Sequence, residues 1–331
     1  MMAKIITRIV IGISMVMITF VSYTIWDNYR IKVVTEDIFI NDLPEELDGF
    51  QILQITDLHE REFGKNQKRL LGKINSIRYD VIVFTGDMLD NRESTNFEPF
   101  YSILEGIRHN KNILVVPGNA DTSSYEYFPD FDKSEFVKGI EERGATFLES
   151  ITTIEKNREN IHFVNFELAI IKNPDHIGKT NGSFQALYPS NEQYRKYQKV
   201  LWEEMVNGEA FNSSDVVVAL NHFPVPDARI DYIEIDPTTE WRDFDLIVAG
   251  HYHGGQIRLP FIGALFIPDP WYEPNSFFPP KDRVKGLWKY KESKQYVSAG
   301  LGTSDAIPFL KFRLFNPPEI NVLTLKSNPS E

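Results

Sequence analysis

The chain has no cysteine among its 331 residues. Disulfide scaffolds, thiolate zinc sites and cysteine nucleophiles are therefore excluded. Basic charge is also short: 35 Lys and Arg stand against 47 Asp and Glu, a net charge of −12. That balance argues against a nucleic-acid backbone as the main partner, because phosphate binding requires a basic surface. A phosphorylated small molecule stays open if a cation supplies the positive charge. No G-x-S-x-G elbow occurs, which argues against a serine-type hydrolase. There is no internal repeat, no low-complexity tract and no clear linker. Histidine is sparse, at seven residues. The rest is ordinary for a folded protein, 42% hydrophobic and 25% charged, long enough for one large domain or two.

One stretch lacks charge altogether. "IVIGISMVMITFVSYTIW", Ile9 to Trp26, is close to the ~20 residues a helix needs to cross a bilayer. Tyr23 and Trp26 suit a membrane interface. Lys4 and Arg8 would also suit the start of a signal peptide, but no small-x-small cleavage site precedes Trp26. The reading is a retained transmembrane helix over 9–26 with a short tail over 1–8, rather than a cleaved signal or a core helix. Arg30 and Lys32 follow the span closely, so the charge bias is slight. It places the tail inside and the large domain outside a single-pass cell-membrane protein.

Beyond residue 30, short β-branched runs alternate with helical stretches. "FQILQITD", "DVIVFTGD", "NILVVPGN", "DVVVALNH" and "FDLIVAGH" begin apolar enough for strands buried on both faces. Helices are predicted from Asn66, Phe97, Lys133 and Ser190, the last with Ser190 and Gln193 as a capping box. "TTIEKNRENIHFVNFELAII" and "GLWKYKESKQYVSAGL" read as hairpins, and "PEINVLTLK" as a closing strand. This predicts an α/β fold with a second sheet packed on the first. The acidic aromatic segment from Ser123 and the proline-aromatic segment from Pro260 fit neither element. For the latter, substrate lid, membrane contact and plain cover are all open.

The five runs share a property. They deliver Asp57 and His59, Asp87, Asn119, His222, and His251 with His253 to strand ends, where open α/β sheets gather ligands. A lone histidine or aspartate there is usually a packing or turn residue. Five strand ends carrying such donors, with four of seven histidines, point to metal. Imidazole suits zinc or iron, and the oxygen donors extend the choice to manganese. Seven donors exceed one coordination sphere but suit two ions sharing a carboxylate, an arrangement used for displacement at phosphorus.

In order and spacing these residues resemble the calcineurin-like metallophosphoesterases. The elements are "TDLH", "GDMLD", "GN", "NH" and "GHYH". "GHYHGGQIRLPFIGA", "VSAGLGTS" and "FNPPEINVLTL" are similar to the membrane-associated bacterial branch. The resemblance spans about 30–326 and implies a four-layer α/β/β/α sandwich of two mixed sheets. It implies one cation on Asp57, His59 and His253, another on Asn119, His222 and His251, and Asp87 bridging them. Asp87, Asn119 and His222 would also carry catalysis. Tyr252 would turn away or line the entrance, and Gly254 and Gly255 would turn the backbone tightly.

Two positions depart from the pattern. Asn119 is usually followed by a histidine that protonates the leaving oxygen, often oriented by the equivalent of Asp90; here it is Ala120. UDP-diacylglucosamine pyrophosphatases, which are similar enzymes, also lack it. The leaving group is then acidic, or Asp121, His109 or Tyr125 substitutes, or turnover is poor. Asp121 reads better as a turn residue orienting its loop. Ala299 stands where the branch often has arginine, and Arg313 either supplies charge nearby or is a surface residue. The expected function is a membrane-anchored two-metal hydrolase of phosphoester or pyrophosphate bonds in a phosphorylated small molecule or lipid-linked envelope substrate. The alternative is a metal-dependent binding or scaffold protein.

Overall fold

Each of the five apolar runs is a strand. In the computed structural model, which describes residues 2–108, 112–177, 191–206, 215–268, 276–304 and 311–328, the chain starts with helix α1 (Met2–Tyr29). It continues through β1 (Lys32–Ile40), β2 (Gln51–Ile55), α2 (Lys68–Ile74), β3 (Val81–Thr85), α3 (Glu98–Gly106) and β4 (Ile113–Val116). A small β5–β6 hairpin (Tyr125–Glu126, Asp132–Lys133), α4 (Glu135–Glu142) and β7 (Thr146–Phe147) follow. The second half runs β8 (Ile151–Lys156), β9 (Glu159–Asn165), α5 (Phe166–Ala169), α6 (Glu192–Val206), β10 (Val216–Leu220), α7 (Asp227–Ile235) and β11 (Leu246–Ala249). Two-residue strands β12 (Arg258–Leu259) and β13 (Gly263–Ala264) precede the hairpin β14–β15 (Gly286–Tyr290, Ser293–Val297) and β16 (Glu319–Ser327).

One sheet has the order β1-β16-β2-β3-β4-β7, the other β14-β15-β11-β10-β9-β8. Both are mixed. In the first, β16 runs antiparallel to β2 while every other pair is parallel. In the second, the hairpins make both margins antiparallel around a parallel centre. The β8–β9 turn has Asn157 and Arg158 at φ 56° and 79°, the left-handed pair that a two-residue hairpin loop requires.

Strand alternation builds the layers. In β3, Ile82 and Phe84 face α2, α3 and α4, while Val81 and Val83 face the other sheet. In β10, Val216, Val218 and Leu220 pack between the sheets, and Val217 and Ala219 pack under α6 and α7. The result is the four-layer α/β/β/α sandwich. Burial of both faces explains why these strands are uniformly apolar.

Helix α1 is one continuous helix from Met2, so it includes the residues read as a tail. It is long and apolar enough to cross a membrane, and among the described residues none of its apolar stretch is buried. Only Asp27 and Asn28 are buried, where it meets the domain. Since Lys32 pairs with Glu319, and β2 runs antiparallel to β16, α1 joins at the end of the sheet where β2 finishes. Other details differ from expectation. The cap of α6 is Asn191, whose Oδ1 accepts from Tyr194 N at 2.9 Å; Ser190 and His109 lie outside the described residues. Residues Phe166–Ala169, expected within a hairpin, form a short helix capped by Asn165.

Candidate metal centre

Every donor stands two to four residues beyond a strand: Asp57 and His59 after β2, Asp87 after β3, Asn119 after β4, His222 after β10, His251 and His253 after β11. Three strands belong to one sheet and two to the other, so the donors meet across the top of the sandwich. Asp57, His59, Asp87, His251 and His253 all hold left-handed backbone, with φ between 47° and 68°. Such conformations cost on the order of 1–3 kcal/mol each in non-glycine residues and gather at functional sites. Gly86, at φ 85°, lets β3 turn here; a Cβ on it would sit 2.7 Å from His222 Nδ1. Gly254 and Gly255 are also left-handed, and Tyr252 turns away into a small apolar cluster with Val297 and Trp288.

Two groups of donors form. Asp57, His59, Asp87 and His253 bring one atom each within 4.8 Å of one another, and so do Asp87, His222 and His251. Asn119 joins the second group, its Oδ1 3.1 Å from His222 Nε2. Asp87 belongs to both, with Oδ2 3.5 Å from His59 Nε2 and 3.3 Å from His222 Nε2. The outer hydrogen bonds explain which ring nitrogens face inward. His222 Nδ1–H donates to Thr85 O at 2.8 Å, and His251 Nε2–H donates to Pro268 O at 3.0 Å. The remaining nitrogens, His222 Nε2 and His251 Nδ1, then face inward 3.1 Å apart, and a cation binding there would displace the proton from His222. His59 Nε2 and His253 Nε2 face each other at 3.3 Å.

The electrostatics follow from burial. Burial, with His222 nearby, pushes His251 down to about 3, and burial holds His253 well below the ordinary range, so both rings are neutral. Burial would also lower His222, but the Asp87 carboxylate beside it outweighs that and lifts it to about 9. Burial opposes the charge on Asp87, yet His222 keeps its carboxyl below the usual range. Burial raises Asp57 to about 6. Four imidazoles, one amide, two carboxylates and no thiolate fit a pair of divalent cations.

The neighbouring residues hold this arrangement. Asp121 is buried, and its carboxylate accepts from Asp87 N (2.9 Å), Met88 N (2.8 Å), Leu89 N (2.9 Å) and Gly118 N (2.7 Å). It orients the loop and has no spare geometry for proton donation. Arg313 is not a surface residue: it is fully buried, donating to Gly302 O (2.7 Å), Ala299 O (2.6 Å) and His253 O (3.4 Å). A pocket of carbonyls drew the guanidinium inward, and nothing in its sequence neighbours Phe312, Leu314 and Phe315 announces those carbonyls. Arg313→Met should cost about 3 kcal/mol, because three buried carbonyls lose a charged donor. Denaturant unfolding of the detergent-solubilised chain checks this, and an unchanged midpoint would contradict it.

Ala120 donates its N–H to Asp87 Oδ1 at 2.7 Å. Asp90, which in the resembling family orients a histidine, instead pairs with Lys311 at 3.1 Å and lies 4.0 Å from His59 Nδ1. Arg92 escaped sequence reasoning; its Nε donates to Asn119 O at 2.8 Å. Beside it a cavity of about 200 Å³ runs from His222 and Gly118 to Tyr125, Glu149 and Tyr194. The Tyr125 hydroxyl donates to Glu149 at 2.6 Å, and burial pushes it well above its ordinary value, so it is no ready acid.

Over residues 50–255 the chain matches the calcineurin-like phosphoesterase family. It is 25% identical over 291 residues to the uncharacterized metallophosphoesterase YkuE of Bacillus subtilis (strain 168), covering 86% of this chain and 82% of that one. It is 23% identical over 310 residues to the UDP-2,3-diacylglucosamine pyrophosphatase LpxG of Chlamydia muridarum, covering 86% and 85%. Among solved structures, the phosphopantetheinyl hydrolase PptH from Mycobacterium tuberculosis aligns with a TM-score of 0.41 and 14% identity, over 77% of this chain and 91% of that one. The family match takes in all seven donors, from Asp57 to His253, and spans more than half of the chain. Sequence and geometry thus meet on the same residues: the chain belongs to the calcineurin-like phosphoesterase family and is a metal-dependent phosphoesterase.

Proposed function

We propose that the protein is a membrane-anchored hydrolase of phosphoester or pyrophosphate bonds in a lipid-linked or envelope substrate, using two divalent cations (Mn, Fe or Zn). Residues 9–26 are the retained anchor and 30–326 the phosphoesterase domain, outside the cytoplasm. The observation that carries the chemistry is the convergence of inward-facing ring nitrogens on the shared Asp87. Asp57, His59 and His253 would hold one cation and Asn119, His222 and His251 the other, with Asp87 available to both. Bound cations supply Lewis-acid polarisation of the phosphoryl group and an acidified water. Thr85 O fixes the His222 ring, Ala120 N–H fixes the Asp87 carboxylate, and Arg92, which lines the adjoining cavity, ties down the Asn119 carbonyl.

No acid side chain stands at position 120, so the leaving oxygen departs with its charge. A phosphate leaving from a pyrophosphate tolerates that; an alkoxide does not. The similarity to a UDP-2,3-diacylglucosamine pyrophosphatase supports the same class of substrate. Retention of α1 is supported by its latch to the domain: Asn28 Nδ2 donates to Arg313 O and Asn28 Oδ1 accepts from Arg313 N, at 2.7 and 2.8 Å.

The test is hydrolysis by the full manganese-loaded chain of p-nitrophenyl phosphate, bis-p-nitrophenyl phosphate, a nucleoside diphosphate sugar and an alkyl phosphate, with Ala120→His alongside. Wild type should favour the diphosphate and neglect the alkyl ester. The variant should gain about 10²-fold on the alkyl ester, the scale of general-acid help. Equal wild-type rates across the series, or a variant with the same leaving-group dependence, would sink the pyrophosphate reading.

A further inference from the structure

The segment that follows the metal-binding loop is apolar on its outside. Phe261 is 97% exposed, Phe277 64% and Phe278 66%, with Ile262 beside them. Large aromatics this exposed, grouped on one segment, mark an interaction surface. Its described residues hold one another: Phe266 and Phe277 pair at 5.3 Å, Phe278 N donates to Leu265 O, and the Lys281 ammonium donates to Phe261 O.

The occupant is indicated by where this surface leads. Phe261, Pro260, Arg258 and Lys281 line a shallow groove together with Phe315. Phe315 in turn packs on α1, its ring 6.2 Å from Phe20 and 5.8 Å from Tyr23. At about 1.5 Å rise per residue, Phe20 and Tyr23 lie roughly 9–14 Å before the end of α1 at Tyr29. If the uncharged run Ile9–Trp26 sits in a bilayer, the contact with Phe315 is already at the depth of that run. The groove around Phe315 cannot then clear the lipid surface. Its composition, aromatic rings beside Arg258 and Lys281, is that of segments lying in the headgroup boundary.

We infer that Phe261, Ile262, Phe277 and Phe278, with the groove at Phe315, dock into the lipid surface of the bilayer that α1 spans. This rests on the anchor reading above. It explains why α1 joins at the end of the sheets that carries the metal centre. Pro268 O receives the His251 Nε2–H from within the same segment, so docking sets the mouth of the centre at headgroup level. An amphiphile could then present its phosphate without leaving the membrane.

The absence of native cysteine allows a clean test. Full-length chains carrying Phe261→Cys, Phe277→Cys, Ile18→Cys or Arg158→Cys are labelled with an environment-sensitive fluorophore. They are then reconstituted in vesicles of equal parts phosphatidylcholine and phosphatidylglycerol containing doxyl-lipid quencher. Arg158 sits on the β8–β9 turn at the opposite end of the sandwich. Labels at 261 and 277 should lose fluorescence to the quencher as the label at 18 does, while the label at 158 keeps it. Quenching at 18 with 261 and 277 behaving like 158 would overturn the docking and leave the anchor standing. Protection at 18 as well would overturn the anchor reading, and the docking with it.

Discussion

Asp87→Asn should lower phosphoesterase turnover by about 10³-fold or more, since Lewis-acid stabilisation is worth several kcal/mol and each 1.36 kcal/mol is tenfold. The side chain keeps its volume and one oxygen for the Ala120 N–H. It loses the charge and puts an N–H₂ group toward His59 or His222, the two rings now 3.5 and 3.3 Å from Oδ2. Neither donor group can then share this residue with the other. Metal analysis of the purified chain should find fewer than two cations bound, alongside the lost kcat. A variant with two bound cations and full turnover would end the shared-carboxylate mechanism.

The second large effect is expected at a residue without a place in either donor group. Asp121 offers two oxygens to four backbone N–H groups, among them those of Asp87 and Gly118. Asparagine there has the same size but only one accepting oxygen, and its amide hydrogens oppose the N–H groups they meet. Leaving buried donors unmet costs about 1–3 kcal/mol each, so Asp121→Asn should lose roughly 3 kcal/mol of stability. Metal affinity should also fall about 10–100-fold, as for other changes in the groups that support ligands. Denaturant unfolding with chelator measures the first loss and manganese titration the second. Normal affinity with reduced stability would show that the Asp87 and Asn119 turns hold without it.

Much of this was legible beforehand for a physical reason. A strand buried on both faces is uniformly apolar, so the first polar residue after it marks where the sheet ends. β3 and β10 show this directly, and Asp87 and His222 follow each by one glycine or asparagine. β1 was not legible, because this outer strand carries charge on both faces, Lys32 and Glu36 on one and Asp37 on the other, and loses its apolar signature. Arg313 and Arg92 were hidden for another reason. Their roles depend on backbone carbonyls brought close by folding, Ala299, Gly302 and His253 for one and Asn119 for the other. Nothing in local composition announces a carbonyl's position. Asp121 was readable as a loop-orienting residue, but the number of N–H groups it gathers was not.

The left-handed backbone at Asp57, His59, Asp87, His251 and His253 reaches beyond chemistry into the working life of the protein. A chain that bends five side-chain-bearing residues this way is less secure before loading than its core alone would make it. Cations that bind only the folded form add stability in proportion to the logarithm of their concentration. If the proposed cations bind here, divalent metal supply sets persistence as well as turnover. Under metal starvation the folded population should therefore shrink, so abundance should fall along with activity.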